Sequence, residues 1–316
     1  YKWTLSLSVP LRWTGYTGVG FSRISVNPSL SIIYKLNYAW RFTAHASYKE
    51  RYGEMTDLYD RPYQTDYRNS VWNCGILPVY RQQLYSVYGE YKNTAREFFA
   101  TVNLTHNREW YNRIYEQRIE NGQVQRVSLP LSNHGSGYTV KSTLSKGFYD
   151  LGLKTSFLAL LNISKAEQSS GGQRLPYQYR LMRLEPKVIW TPNRHWETSY
   201  QTDIRYGGNK IGERTRLAPL WNVTQQVQLS YIFSPIEASL SVDHYHNDVN
   251  EDQSVNAVFA DFSVLWKSRR WQITATATNL FDKRTYAYTR YASLESYTSW
   301  VRIRPREFLV AIRYRL

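Results

Sequence analysis

Two stretches near the end of the chain decide the fold: Asn279-Leu280-Phe281-Asp282-Lys283-Arg284 and Pro305-Arg306-Glu307-Phe308-Leu309-Val310-Ala311-Ile312-Arg313-Tyr314-Arg315-Leu316. In the second stretch the last five even positions are all apolar, and charged Arg313 and Arg315 stand between the final three of them. A period of two is typical of a β-strand with one apolar face and one polar face. The pattern predicts a strand that closes a barrel whose outside contacts lipid.

The same alternation recurs along the whole chain. Over residues 1–13 the odd positions are almost all apolar, whereas Lys2, Thr4, Ser6, Ser8 and Arg12 lie between them. Soluble strands average about five or six residues, but a tilted membrane strand needs about nine to eleven. About fourteen segments of this kind can be counted. The sequence therefore predicts an all-β fold, a transmembrane antiparallel up-and-down β-barrel formed by residues 1–316 as one domain.

The connections between these segments alternate in length. Short ones are predicted near Asn37, Asn93, Gly147, Asn193, Pro235 and Arg269. Long ones are predicted over 14–28, 50–78, 108–136, 163–178, 206–219, 245–255 and 283–300. Outer-membrane barrels have tight periplasmic turns and long extracellular loops. The alternation therefore predicts which ends of the strands face the periplasm.

Composition and charge narrow the possible functions. No run of about eighteen apolar residues occurs, which excludes helical membrane spans. The formal net charge is +15, yet Lys and Arg are spread along strands and loops, which argues against nucleic-acid binding. Three readings stay open: contact with lipopolysaccharide phosphates, an anionic substrate, or an acidic partner segment outside this chain. Cys74 is the single cysteine, so an internal disulfide is impossible.

The closing region, residues 271–316, resembles the C-terminus of TonB-dependent outer-membrane receptors. In that family the penultimate strand often ends in an Asn-Leu-Phe-Asp-Lys-like turn, and the last strand begins near a Pro-Arg pair. The final residues are also similar to the signal that the barrel-assembly machinery reads: Tyr314 and Leu316 match its apolar positions, whereas Ala311 stands where glycine is usual. The resemblance implies a 22-stranded barrel with an N-terminal plug. Residues 1–316 would then be the C-terminal part of the barrel, without the plug and the first strands.

The resemblance also implies a function. It implies a receptor in the outer membrane of a Gram-negative bacterium that imports a scarce ligand of the siderophore, glycan, peptide or cobalamin class. The TonB complex would act through the absent plug, and neither catalysis nor a cofactor is involved. The Tyr-rich loops are similar to those of Bacteroidetes receptors, including SusC-like importers, which adds a surface lipoprotein to the expected partners of lipid and lipopolysaccharide. The alternative is a passive fourteen-stranded porin, and an adhesin barrel is a third reading.

Candidate binding residues follow from the same alternation. Four charged residues fall on the polar face near the predicted extracellular ends and could line a substrate path: Arg12, Lys49, Asp203 and Asp243. Aromatic residues of the predicted long loops could stack on a ligand, above all Tyr63, Trp72, Trp110 and Trp221.

One cluster, residues 243–248, carries the residue types of metal and hydrolytic sites. His244 and His246 are two positions apart, so they share one strand face and could bind a metal ion, but two ligands do not complete a site. Asp243 and His246 could imitate a catalytic pair, but no serine partner is indicated. The sequence therefore predicts neither a metal centre nor an enzyme.

Overall fold

The structure, a computed structural model, describes residues 2–17, 20–120, 122–212, 215–216, 218–250, 252–292 and 295–315. Met55–Leu58 and Tyr149–Leu151 form short 3-10 turns, and no described helix has the length and apolar character needed to cross a membrane. The strands are β1 (Trp3–Ser8), β2 (Leu11–Tyr16), β3 (Phe21–Val26), β4 (Ser29–Lys35), β5 (Trp40–Tyr52), β6 (Tyr63–Gln64), β7 (Asn69–Trp72), β8 (Val79–Asn93), β9 (Phe98–Tyr111), β10 (Ile114–Glu120), β11 (Gln123–Leu129), β12 (Asn133–Phe148), β13 (Leu153–Ser170), β14 (Gln173–Asn193), β15 (Trp196–Ile211), β16 (Thr215–Arg216), β17 (Leu220–Phe233), β18 (Ile236–Asp248), β19 (Ser254–Lys267), β20 (Trp271–Thr278), β21 (Thr285–Ala292), β22 (Glu295–Arg302) and β23 (Glu307–Tyr314).

Fourteen of these strands form one antiparallel wall. Each wall strand pairs with the wall strands before and after it in sequence, in the order β1, β4, β5, β8, β9, β12, β13, β14, β15, β17, β18, β19, β20, β23. Neighbours along the chain are therefore neighbours in the wall, which is the up-and-down arrangement of a transmembrane barrel. The predicted all-β fold and strand number are confirmed.

The wall has two unpaired edges in the part of the chain that the structure describes. Strand β1 pairs with β4 alone, and β23 pairs with β20 alone. Apolar side chains on both edges are widely exposed, for example Leu7 at 70% and Phe308 at 73%. A closed fourteen-stranded ring would instead pair β1 with β23.

The register sorts the side chains onto two faces. One row of directly opposed residues crosses nine strands and consists of Leu5, Ile32, Ala44, Val87, Leu104, Val140, Leu161, Met182 and Tyr206. The adjacent row on the other face contains Thr43, Tyr88, Asn103, Lys141, Leu160, Arg183 and Arg205. Because lipid accepts only apolar side chains, the first face is the outside of the barrel and the second lines its lumen.

The short connections lie where the sequence predicts them, at 36–39, 94–97, 149–152, 194–195, 234–235 and 268–270. Aromatic side chains pair across the strands beside these turns. The ring centroids are 4.8 Å apart for Trp40 and Tyr91, and 4.7 Å apart for both Trp196 with Tyr231 and Trp271 with Tyr314. Such a belt of aromatic rings is typical of a membrane interface.

The predicted long loops are wrong in part, because much of their length is strand. Strands β2 and β3 fill most of 14–28, β13 and β14 meet at a two-residue turn inside 163–178, and β21 pairs with β22 inside 283–300. Above the membrane both faces of a strand contact water, so the apolar alternation disappears while the backbone pairing continues. The sequence pattern therefore underestimates strand length at this end.

Residues 279–284, together with Arg304 and Arg306, form a hydrogen-bonded knot between β20 and β23. Asn279, only 6% exposed, donates from its amide nitrogen to the carbonyls of Lys283 and Arg304, both at 2.8 Å, and its amide oxygen accepts from the Lys283 backbone at 3.0 Å. The Asp282 carboxylate accepts from the Arg306 backbone at 3.0 Å and from Arg284. The knot fixes both ends of the β21–β22 hairpin.

The β21–β22 hairpin folds over the luminal face of the wall. Ala287 is fully buried, and its carbonyl accepts from the Asn247 side chain at 3.2 Å. The rings of Tyr245 and Tyr286 meet edge to face at 5.2 Å. The hairpin therefore covers part of the lumen beside β18.

Candidate functional site

A cavity of about 980 Å³ opens on the luminal face at the extracellular end of β9, β12 and β13. The β10–β11 hairpin forms its other side. The hairpin is tied back to the wall by one parallel bridge between Glu116 and Ser169, and to the preceding loop by parallel pairing of β11 with β7. The polar and aromatic lining includes Asp66, Asn69, Asn107, Glu109, Tyr111, Arg113, Tyr115, Glu116, Arg126, Asn133, Gln168 and Tyr177. This composition suits a polar ligand that offers both charge and ring surface.

Glu109 is the centre of the cavity's hydrogen-bond network. Its carboxylate accepts from Tyr80 at 3.1 Å, Gln82 at 3.0 Å, Asn107 at 2.9 Å and Tyr111 at 2.9 Å. Two donors come from β8 and two from β9, so the carboxylate joins neighbouring strands. A carboxylate with several donors holds their side chains in fixed orientations. The wall of the cavity is therefore rigid.

The opposite side of the cavity carries two guanidinium groups beside one tyrosine. The guanidinium carbons of Arg126 and Arg113 lie 3.5 Å and 4.9 Å from the centroid of the Tyr115 ring. Arg113 is also anchored by an ion pair with Asp57 at 3.1 Å. Arg126 has no ion pair within the described residues. Its planar donors are therefore available to a carboxylate, phosphate or phenolate of a ligand.

Glu116 fastens the hairpin to the wall. Its carboxylate, 5% exposed as a residue, accepts from Arg118 at 2.9 Å, from the Ser169 hydroxyl at 2.8 Å and from the Gly172 backbone at 3.2 Å. The hydrogen bonds from Arg118 and Ser169 lower the pKa of Glu116. The charged form of this carboxylate thus stabilises the closed position of the hairpin.

Acid is expected to loosen this hairpin. Since the folded-state pKa of Glu116 is lower than its ordinary value of 4.5, the stabilisation is complete above that value and is lost as the pH falls through the lowered pKa. Hydrogen exchange of β10 and β11 measured from pH 6 down to pH 3 should show this loss. Glu116→Gln, which cannot titrate, serves as the control. Equal pH dependence in both proteins would contradict the prediction.

A second luminal cavity, of about 480 Å³, lies under the β21–β22 hairpin. Arg183 and Arg205 stand directly opposite each other on β14 and β15, and Asp203 lies between them. Asp203 accepts two bonds from Arg183, at 3.1 and 3.0 Å, and its shortest contact with Arg205 is 2.6 Å. Arg183 also pairs with Glu185. Without the carboxylates, the two opposed cations would repel each other.

The four charged residues predicted for the substrate path differ in their surroundings. Asp203 belongs to the arginine network of the second cavity. Lys49 lies on the luminal face opposite Gln82, and Asp243 lies on that face opposite Gln226. Arg12 lies on the face of β2 opposite to Leu11 and Trp13. The structure does not gather these residues into one site, and their role in a substrate path stays a prediction.

The predicted loop aromatic residues separate into two groups. Tyr63 and Trp72 lie in the β6–β7 hairpin of the extracellular region. The loop placement of Trp110 and Trp221 was wrong, because they lie within β9 and β17 and point to the outer face, where Trp221 meets Tyr206 at 4.7 Å. Outward rings at the extracellular end suit the second aromatic belt. Ligand stacking by these four residues stays a prediction.

The remaining predicted residues occupy the outer face or the chain end. His244 and His246 point outward and Asp243 inward, so Asp243 cannot act with His246. No group of His, Cys, Asp and Glu in the described ranges is arranged to hold a metal ion. Tyr314 lies on the outer face of β23, whereas Leu316 lies outside the described residues.

Sequence reasoning missed Glu109, Arg126 and Arg183. Glu109 could have been placed in the lumen by extending the odd-numbered polar positions of β9 past Asn107. Its partners on β8 could not, because the register between strands is not visible in the sequence.

Two solved structures are similar to this chain, and the first of them supports the fold. The FrpB iron transporter from Neisseria meningitidis, F3-3 variant, superposes with a TM-score of 0.50 at 9% identity, over 84% of this chain and 44% of that one. BauA, the ferric preacinetobactin receptor from Acinetobacter baumannii, gives 0.48 at 7% identity, over 98% of this chain and 55% of that one. No protein-family model and no curated protein matches the chain. The chain thus spans about half the length of these structures, and its fold is that of an outer-membrane β-barrel wall.

Proposed function

We propose that this chain is the C-terminal part of the barrel of a TonB-dependent outer-membrane receptor, which imports a scarce ligand. The observation that carries the proposal is the fourteen-stranded wall with unpaired edges at β1 and β23. In lipid a row of unpaired backbone groups is too costly to persist, so further strands are needed to pair with both edges. The 22-stranded barrel implied by the closing motif would supply about eight.

The alternative, a passive porin of fourteen strands, has less support. It requires β1 to pair with β23, and the described residues of these strands do not pair. It also gives no reason for the knot around Asn279, which holds a hairpin over part of the lumen. A hairpin in that position narrows an open channel.

The ligand class is open among siderophore, glycan, peptide and cobalamin. Arg126 and Arg113, beside Tyr115, would suit an anionic ligand that carries aromatic rings. Because FrpB is named as an iron transporter, the iron-carrying class among these candidates, the ferric siderophores, is the one to test first. The ligand would enter through the cavity around Glu109 and then bind to the plug. The TonB complex would drive its passage through the barrel. The SusC-like subgroup and a lipoprotein partner stay predictions.

Two measurements on the full-length protein test this function. We expect its intact mass, after purification from outer membranes, to be roughly twice 37.3 kDa, since the chain covers 44% of the FrpB chain. We also expect uptake of a ferric siderophore by cells that carry it to stop when a protonophore removes the proton gradient. A mass near 37.3 kDa, with uptake that continues without energy, would instead indicate a passive pore.

A further inference from the structure

Three cations form a row across the outer face of the barrel wall. Arg108 on β9 is opposite Ser136 on β12, which is opposite Lys165 on β13. Lys165 is opposite Gln178 on β14, which is opposite Lys210 on β15. Adjacent strands are about 4.8 Å apart, so successive cations stand about 10 Å apart.

The row begins where the apolar surface ends. On β13 the outward residues from Leu153 to Ile163 are largely apolar, and Lys165 follows at once. This interval measures about 33 Å along the strand, and a tilt of about 40° reduces it to about 25 Å, the height of the lipid-facing band of such barrels. On β9, Leu104 is the last apolar outward residue before the row, and His106 separates it from Arg108. On β14, the outward Arg180 lies level with Ile163, one outward position below Gln178. The cations therefore lie at the upper boundary of the membrane.

These cations have no anionic partner in the part of the chain that the structure describes. None of the ion pairs found there includes Arg108, Lys165 or Lys210, and Arg108 and Lys165 are exposed. The nearest outward carboxylate along β13, Glu167, is engaged with Arg174 at 3.4 Å. Between the cations lies an open groove of about 510 Å³, which is also lined by Trp110, His134 and Glu167 itself.

We propose that this row, Arg108, Lys165 and Lys210, binds the phosphate groups of a phosphorylated lipid of the outer leaflet, namely lipopolysaccharide. Unpaired cations directly above an apolar surface match a ligand whose phosphates stand directly above acyl chains. The spacing of about 10 Å suits a ligand with several phosphates better than a single anion. An acidic soluble protein would meet the row only from above, whereas a lipid also covers the apolar side chains below it. The proposal does not depend on which ligand the receptor imports.

The test compares two triple variants of the full-length protein. The first, Arg108→Gln with Lys165→Gln and Lys210→Gln, removes the row. The second, Lys141→Gln with Lys154→Gln and Lys187→Gln, removes the same charge from the luminal face of β12, β13 and β14. Each protein, folded in detergent without lipopolysaccharide, is titrated with purified lipopolysaccharide and with the same lipid after enzymatic removal of its phosphates. Heat-modifiable migration confirms that each variant is folded.

We expect the first variant to bind lipopolysaccharide about a hundredfold more weakly, because each cation near an anionic lipid surface contributes roughly a factor of five. The luminal variant should bind like the parent, and the dephosphorylated lipid should bind weakly to all three proteins. Lys165→Arg with Lys210→Arg should retain parental affinity. Equal losses in both triple variants, or no loss in the first, would overturn the proposal. Equal binding of the dephosphorylated lipid would do the same.

Discussion

Leu184→Arg is expected to lower the free energy of unfolding by about 2–4 kcal/mol, the cost of a cation at the middle of the lipid-facing surface of a barrel. Leu184 points outward on β14, opposite Ala159, about halfway along the apolar band. An arginine there would face the lipid at mid-depth, and its side chain cannot reach either interface fully. Urea unfolding of the protein in lipid vesicles, followed by tryptophan fluorescence, measures the change.

Leu158→Arg provides the matched control. Leu158 is on the neighbouring strand at almost the same depth, but it points into the lumen opposite Glu185. The new cation would there meet water and a carboxylate, so we expect a change below about 1 kcal/mol. Similar losses in the two variants would mean that the assignment of outer and luminal faces is wrong.

Asn279→Ala is expected to lower the free energy of unfolding by about 3 kcal/mol, because three side-chain hydrogen bonds of a buried amide are lost at roughly 1 kcal/mol each. The change also places alanine at a φ of +51°, where asparagine is tolerated better. The same unfolding measurement applies. Trypsin gives a local readout, since Lys283 and Arg284 follow directly and should be cut much faster once the knot opens.

Asn279→Gly separates the loss of the side-chain hydrogen bonds from the backbone strain of alanine at a positive φ. Glycine accepts the positive φ without strain but makes none of the hydrogen bonds. We expect it to be cut by trypsin as readily as Asn279→Ala. Parental resistance to trypsin in both variants would show that the knot does not hold the β21–β22 hairpin.

The alternation of side chains predicted most of the wall, since lipid on one side and water on the other impose a period of two. Trp271 to Ala277 illustrates this, as every odd residue there points outward in the structure. The same argument failed between Ile163 and Gln178, where water surrounds the strands and the pattern no longer reports pairing. The alternation of apolar and polar residues therefore shows where a strand has lipid on one face and water on the other. It does not show where strands form.

The candidate site was less predictable for a different reason. Asp203 was recognised as luminal, and Arg205 lies two positions further along the same strand. The contact between Asp203 and Arg183, however, depends on the register of β14 against β15, which includes an irregularity between Trp190 and Asn193. The cavity around Glu109 depends on how the β10–β11 hairpin folds back on β13. The contact of Asp203 with Arg183 and the contact of the hairpin with β13 both join residues far apart along the chain. The alternation within one sequence therefore does not predict either contact.

The paired extension of β13 and β14 above the membrane has a mechanical consequence. Beyond Ile163, β13 continues to Ser170, which is about 23 Å of ribbon, or about 18 Å of height at a tilt of about 40°. A ribbon with a continuous hydrogen-bond ladder is stiff, whereas a loop of the same length must be ordered before it can hold a ligand. Binding of a molecule to this paired ribbon therefore costs less conformational entropy than binding that has to immobilise a free loop.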